Sequence, residues 1–372
     1  MPKSIEFMGL ALKNPVITAA GPWARNAASI QSCIDAGAAA VITETITLEA
    51  NARICPRLFL NGEQLFNTML YSPLHLEQWE SEMEHIDRRD CKLICSIWGA
   101  SKSEIAYLAS KVERMGADAI EISISAPIGT RSQSLCSHAP DIEAFVGAAV
   151  AAVSIPVMVK LSYEAAVSPS FLKGVDASGA KAISAIDALK GLSGVDIEKK
   201  RAVMRTYGGY TGSCIHPISL AATAALRQCT RMQICSVGGI SDYRSALEFF
   251  MLGAATIQLA SAIQLNGVGI IQETIQGLDA WLAGHGYDHI SQVQGAALPS
   301  LRTFEDLKQT PLTAHVLRPC AKGDTCGRCK AGCLYHAIDF TSQGVTIQED
   351  LCAGCGLCAD LCPESCIELS WA

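Results

Sequence analysis

No run of Lys or Arg stands out in this 372-residue sequence, and its formal net charge is −7. Sequence-independent binding of nucleic acid needs basic stripes that neutralise phosphates, so no nucleic-acid partner is expected. No Gly-X-Y or heptad period is present, which excludes a fibre, and 49% hydrophobic against 17% charged residues excludes a disordered chain. The opening MPKSIEFMGLALKNP lacks a charged region followed by an apolar one. No secretory leader is therefore expected, and the expected compartment is the cytoplasm. The longest uncharged stretch, Phe249 to Gln272, could span a bilayer on length alone. Gly253, Gln258, Gln264, Asn266, Gly267 and Gly269 interrupt it, so it reads as helix end, buried strand and loop, with no membrane association expected. No GxGxxG follows a candidate strand, so no NAD(P) or FAD site is expected on this chain.

Cysteine, by contrast, is abundant. Of 17 cysteines, nine lie after residue 319: Cys320, Cys326, Cys329, Cys333, Cys352, Cys355, Cys358, Cys362 and Cys366. The other eight are scattered without a motif. Outside a secreted context a disulfide framework is not expected, and clustered thiolates read as metal ligands.

Short apolar runs alternate with helical patterns through the first 300 residues. Candidate strands are Val16–Ala19, Ala40–Thr43, Leu93–Ile97, Ala119–Ile124, Val157–Lys160, Lys181–Ile186, Gln233–Val237 and Thr256–Leu259. Most are apolar on both faces, as strands between a core and a helical layer should be. Between them lie periodic segments such as Ala27–Ala36, Ser103–Met115, Asp141–Val153 and Tyr243–Leu252. Several of these segments end in Gly-Ala, at Gly37, Gly116, Gly179 and Gly253, where glycine suits the left-handed residue that closes a helix. Eight strand–helix units predict a (β/α)8 TIM barrel over 1–299, with an open doubly wound sheet as the alternative. Residues 300–319, with Pro311 and Pro319, read as a linker. The last 53 residues, 320–372, are too few for a large core, so metal must supply much of their folding free energy.

Cys352-x2-Cys355-x2-Cys358-x3-Cys362-Pro363 is the bacterial ferredoxin run, whose fourth cysteine ligates the neighbouring cluster in two-cluster proteins. Cys326-x2-Cys329-x3-Cys333 supplies the last three positions of the same pattern. Where the first ligand belongs stands Gly323, and Cys320 reaches that place only if its loop is enlarged. Crossing the fourth ligands gives Cys320, Cys326, Cys329 and Cys362 for one [4Fe–4S] cluster. Cys352, Cys355, Cys358 and Cys333 then hold the other. Without Cys320 the first is a [3Fe–4S] centre or takes another ligand. Cys366 reads as a neighbour. A small two-cluster ferredoxin-like domain serving electron transfer is expected here.

In barrels of this kind the functional groups stand at the C-terminal ends of the strands. Those ends carry Ala19-Ala20-Gly21-Pro22, Glu44-Thr45, Ser123 and Ser125, Lys160, Asp187, Gly238-Gly239 and Ala260-Ser261, with Gly208-Gly209-Tyr210-Thr211-Gly212 in the loop after strand six. Glycines and small residues after strands seven and eight are where such barrels cradle a phosphate, and a Lys from strand five favours a phosphorylated cofactor.

The blocks TAAGP (18–22), VKLS (159–162), GGYTGSCIHP (208–217) and SVGGISDYRSALEFFMLGAATIQLASAI (236–263) resemble the dihydroorotate dehydrogenase superfamily. With the cysteine tail, the whole chain resembles the flavin and iron–sulfur part of the dihydropyrimidine dehydrogenases within it. The resemblance implies FMN at the barrel mouth, in contact with Ala19, Ala20, Thr45, Asn67, Lys160, Gly209, Gly212, Gly238, Gly239, Ala260 and Ser261. It makes Lys160 the cation beside the electron-rich edge of the reduced ring. It implies hydride exchange between flavin N5 and a C–C bond next to a carbonyl or imine, with single electrons relayed through the clusters. It also implies a homo- or hetero-oligomer and a separate electron source, an NAD(P)H/FAD reductase subunit or a ferredoxin-type donor.

The pattern departs at the substrate. The superfamily's strand-four loop reads Asn-Leu-Ser-Cys-Pro, and this chain reads Ser123-Ile124-Ser125-Ala126-Pro127, losing the substrate-binding amide and the proton-donating thiol. Its Lys after strand two is Glu44 here, and its Asn-Thr pair after strand six is Asp187-Ala188. An alanine methyl cannot transfer a proton. An ordinary pyrimidine is therefore not the expected substrate; an amine, a cation or a hydroxyl compound fits Glu44 and Asp187 better. Residues 128–140 read as a lid carrying Cys136 and His138. Candidate proton donors are Ser125, Cys136, His138, Tyr163 and Glu164. A non-catalytic flavin and iron–sulfur relay subunit is the alternative expectation.

Overall fold

The computed structural model describes residues 4–49, 58–124, 139–307, 312–342 and 344–369. They fall into two compact units, residues 1–300 and 301–372.

Eight strands alternate with eight major helices in the first unit. The strands are β1 (Val16–Thr18), β2 (Ala40–Ile42), β3 (Lys92–Ile97), β4 (Ala119–Ser123), β5 (Val157–Leu161), β6 (Ala182–Ala185), β7 (Gln233–Val237) and β8 (Thr256–Leu259). The helices are α1 (Ala27–Asp35), α2 (Leu76–Glu84), α3 (Lys102–Arg114), α4 (Ala139–Ala151), α5 (Pro169–Ala177), α6 (His216–Cys229), α7 (Tyr243–Met251) and α8 (Gly269–Gly284). Each strand pairs in parallel with its sequence neighbour, and β8 closes on β1 to complete the barrel. Ile17, Val41, Ile42, Ile94, Ile120, Val159 and Ile257 are fully buried, as a sheet covered on both faces demands.

Helix boundaries follow local chemistry. The Asn26 side chain accepts from the Ser29 amide at 3.1 Å to open α1, and Asp242 accepts from the Ser245 amide at 2.8 Å to open α7. Gly37, Gly116, Gly179 and Gly253 lie at φ from 85 to 97°, the left-handed value that ends a helix before re-entry into the barrel. The long uncharged stretch resolves into the end of α7, β8, a helix at Ser261–Asn266 and the start of α8. Among the described residues no helix is long and apolar enough to cross a membrane.

Above the C-terminal mouth stands a four-stranded antiparallel sheet of Leu189–Gly191, Gly208–Thr211, Gln64–Asn67 and Leu58–Asn61, in that order. This corrects the reading of 208–212 as a simple loop. Gly209 is the register partner of Asn67, and a Cβ on Gly208 would fall 2.7 Å from the Asn67 carbonyl oxygen, so glycine there admits close strand pairing.

The second unit also begins earlier than expected. Within the stretch assigned as linker, Ala314–Val316 pairs antiparallel with Ile367–Leu369. A hairpin of Ile338–Thr341 and Gly344–Ile347, with two short helices, Arg328–Gly332 and Leu357–Asp360, completes the unit.

Candidate functional site

One cleft opens at the C-terminal mouth of the barrel, with roughly 1200 Å³ of empty space including its open side. Ala19, Ala20, Thr45, Asn67, Lys160, Gly238, Gly239, Ala260 and Ser261 all line it, as do Glu44 and Asp187. Gly209 and Gly212 do not reach its wall, whereas Thr211 between them does. Their glycine character serves the sheet above the mouth: Gly212 lies at φ 96° with the Glu63 carbonyl 3.2 Å from a would-be Cβ. Ser125, Cys136 and His138 fall outside the described residues. So does the expected lid, except for 139 and 140, which open α4. Tyr163 and Glu164 begin a short helix at Tyr163–Ala166 and are not among the residues lining the cleft.

The wall at β7 is made by packing. Gly239 has φ 80°, and a Cβ there would sit 2.5 Å from the His216 amide nitrogen. Gly238, at φ 119°, is likewise pressed against Ser219 of α6. Only glycine lets the chain run between α6 and the cleft, leaving bare peptide groups beside a ligand. His216 Nε2 lies 2.5 Å from Glu248 Oε2, which fixes the first turn of α6 behind this wall.

The floor is polar. Lys160 on β5 donates to Gln258 Oε1 of β8 at 3.1 Å, and its ammonium lies 3.9 Å from Glu121 Oε1 of β4. Glu121 Oε2 accepts from Gln258 Nε2 at 2.8 Å and from Ser184 Oγ of β6 at 2.7 Å. Thr45 Oγ1 and Ser96 Oγ are 2.9 Å apart on the neighbouring side. Sequence reading missed Glu121, Gln258, Ser96 and Tyr71. A usable signal was a lone Glu within the apolar run AIEIS, two residues before Ser123 and so on the same inward face. Asn67 Nδ2 donates to the Gly209 carbonyl at 3.4 Å within the upper sheet, and Asn67 also lines the cleft. Burial, and then the nearby Asp187 carboxylate, push the Tyr71 hydroxyl above its usual range.

These residues fit a phosphorylated flavin. A buried cation, a peptide wall stripped of side chains and a mixed apolar and hydroxyl lining meet in one cavity of cofactor size.

In the second unit, Cys333, Cys352, Cys355 and Cys358 line one small pocket, with about 360 Å³ of empty space including its open side. These are the four residues expected to share a cluster. For the other set, Cys329 belongs to the buried core of the unit and Cys320 packs against that core. Two halves of the unit repeat. Gly327 and Gly356, both left-handed, open the helices that carry Cys329 and Cys358. The amide of Ala337 donates to Cys333 Sγ at 3.4 Å, and that of Cys366 donates to Cys362 Sγ at 3.3 Å. Cys366 thus occupies the position of Ala337, a neighbour that supplies its amide. Cys326 and Cys355 precede the two left-handed glycines at matching places. Among the described residues no three His, Cys, Asp or Glu side chains converge tightly enough for a single ion. A cube presents a separate iron to each thiolate, so sulfurs spread around a cavity suit it better than a point focus.

Residues 3–282, well over half of the chain, match the dihydroorotate dehydrogenase family, and residues 345–368 match the 4Fe-4S binding domain. The NAD-dependent dihydropyrimidine dehydrogenase subunit PreA of Escherichia coli is 27% identical, the comparison covering 98% of this chain and 95% of that one. The catalytic subunit of dihydroorotate dehydrogenase B (NAD(+)) from Methanosarcina mazei is 31% identical over 78% of this chain and 93% of its own length. Its counterpart from Pyrococcus abyssi is 28% identical over 79% and 98%. Barrel, cleft and cysteine-rich tail together define an oxidoreductase that uses FMN and 4Fe-4S iron–sulfur chemistry. Within that class, the chain belongs to the dihydroorotate dehydrogenase family.

Proposed function

We propose that this chain is the flavin- and cluster-bearing part of a larger dehydrogenase acting on a substrate other than an ordinary pyrimidine. The observation that carries the reading is the meeting of Lys160, Asn67 and the Gly238–Gly239 wall with two acidic side chains, Glu44 and Asp187, in a single cleft. FMN, when bound, supplies a ring that exchanges hydride with a C–C bond beside a carbonyl or imine and passes electrons singly. Lys160 holds a positive charge at the floor, where it favours the electron-rich state of that ring. Asn67 presents an amide from above. Glu44 and Asp187 favour a substrate bearing an amine, a cation or hydroxyl groups. Ser125 and Cys136 are the proposed proton donors, on sequence grounds; serine needs a neighbouring base for that role.

Two [4Fe–4S] clusters are proposed for the tail, held by Cys320, Cys326, Cys329 and Cys362, and by Cys333, Cys352, Cys355 and Cys358. The repeated glycine–helix–amide arrangement supports two sites. Electrons reach them from a separate NAD(P)H/FAD reductase subunit or a ferredoxin-type donor in the cytoplasm, in a homo- or hetero-oligomer.

The test is ligand perturbation of the bound flavin's absorbance. Uracil, thymine and orotate are expected to leave the wild-type spectrum unmoved, and Glu44→Lys with Asp187→Asn is expected to create a response. Tight binding or turnover of uracil, thymine or orotate by the wild-type chain overturns the substrate reading. A second reading, a relay without turnover, is favoured by Ser123, which lines the cleft where the family has an amide. A hydride-transferring activity in the reconstituted complex, lost on Cys136→Ala or Ser125→Ala, would dismiss it.

A further inference from the structure

We propose that Glu121 is a positioning residue for Lys160, and the counter-charge that sets how readily a flavin in this cleft accepts electrons. The inference rests on the flavin reading above. Four strands converge around this acid. Glu121 is fully buried on β4, Ser184 of β6 and Gln258 of β8 both donate to its Oε2, and Oε1 is turned toward the Lys160 ammonium of β5 at 3.9 Å. Gln258 fixes the arrangement from both ends, because its carbonyl oxygen accepts from Lys160 while its amide nitrogen donates to Glu121. The ammonium is therefore held between two partners at the floor of the cleft, and Glu121 itself contributes to that floor.

Stability does not account for this network. Interiors of such barrels fill with Val, Ile and Leu, and an apolar replacement for a buried ion pair is often neutral or stabilising. A carboxylate paired with Lys160, the one Lys or Arg lining the cleft among the described residues, has a different consequence. Reduction adds negative charge to the ring; Lys160 favours that charge and Glu121 opposes it from greater depth. The balance of the two sets the midpoint potential.

The test is an anaerobic redox titration of the FMN-loaded full chain. Glu121→Gln keeps the size and removes the opposing charge. It is expected to raise the flavin midpoint so that two-electron reduction is favoured about tenfold more, about 30 mV. Lys160→Met should move the midpoint down. Glu121→Asp draws the carboxylate back by one methylene and should move it up by less, which keeps the proposal testable if the Gln variant does not fold. A merely structural role would lower flavin content and leave the midpoint of the remaining flavin unmoved. Flavin-loaded Glu121 variants at or below the wild-type midpoint overturn this proposal alone. A wild-type chain that holds no flavin overturns the reading beneath it as well.

Discussion

The barrel and the tail hold themselves together by different means. In the barrel, β1, β2, β4, β5, β6 and β8 are buried at every residue, and Trp79, Phe7, Phe249 and Phe250 are fully enclosed around them. In the tail the common core is five residues, Ala314, Cys329, Ile338, Val345 and Ile367, and most of what packs against them is cysteine or a side chain only partly covered. One part of the chain folds on apolar burial, and the other is expected to draw much of its folding free energy from its clusters. The expected consequence is that flavin chemistry rests on a scaffold indifferent to iron, whereas the electron path would be lost with the metal.

The sharpest way to break this contrast is to remove the iron. Chelation under anaerobic conditions should let a protease digest residues 301–372 while a fragment near residues 1–300 survives; equal protection of both would refute the contrast. Next in size is Cys320→Ala, which should turn one of the two proposed clusters into a [3Fe–4S] centre and lower the iron from about eight to about seven per chain, whereas Cys366→Ser should keep the full count. In the barrel, Trp79→Ala empties a fully buried site and removes the indole hydrogen bond to Ser72 Oγ at 3.0 Å. A loss of about 3–5 kcal/mol of barrel stability is expected, read by denaturant unfolding, with iron content unchanged. Gly239→Ala should cost about 1–2 kcal/mol from its left-handed backbone alone and weaken FMN binding, measured by flavin fluorescence on titration. Smallest is a labelling difference. Burial pushes the thiols of Cys33, Cys91, Cys95 and Cys235 up to about 12. At pH 8 they stay protonated, so iodoacetamide should label the exposed Cys214 and Cys229 and spare these four, as mass spectrometry would read.

Much of the barrel was legible because its signals are local. Gln233–Val237 and Thr256–Leu259 are strands over the expected residues, and the glycines at 37, 116, 179 and 253 end helices as their chemistry requires. The upper sheet was not legible, since Gly209 finds Asn67 across 142 positions and nothing near either residue announces the pairing. The tail strand at Ala314–Val316 escaped for the same reason, as its partner lies at Ile367–Leu369. Lys160, Glu44 and Asp187 could be placed at strand ends by counting. Glu121 stood out only as a lone acid on an inward face, and its meeting with Gln258 was not legible, because only closure of the barrel brings β4, β5, β6 and β8 to one point beneath the cleft.

The central claim is that one polypeptide carries a flavin in its barrel that shares electrons with clusters in its tail. Stepwise anaerobic reduction of the purified full chain, with iron and FMN counted beforehand, tests it directly. About eight irons and one FMN per chain are expected by the two-cluster ligand count, with flavin and clusters both reduced as electrons are added. A colourless protein, or flavin that stays oxidised while the iron bleaches, would contradict it.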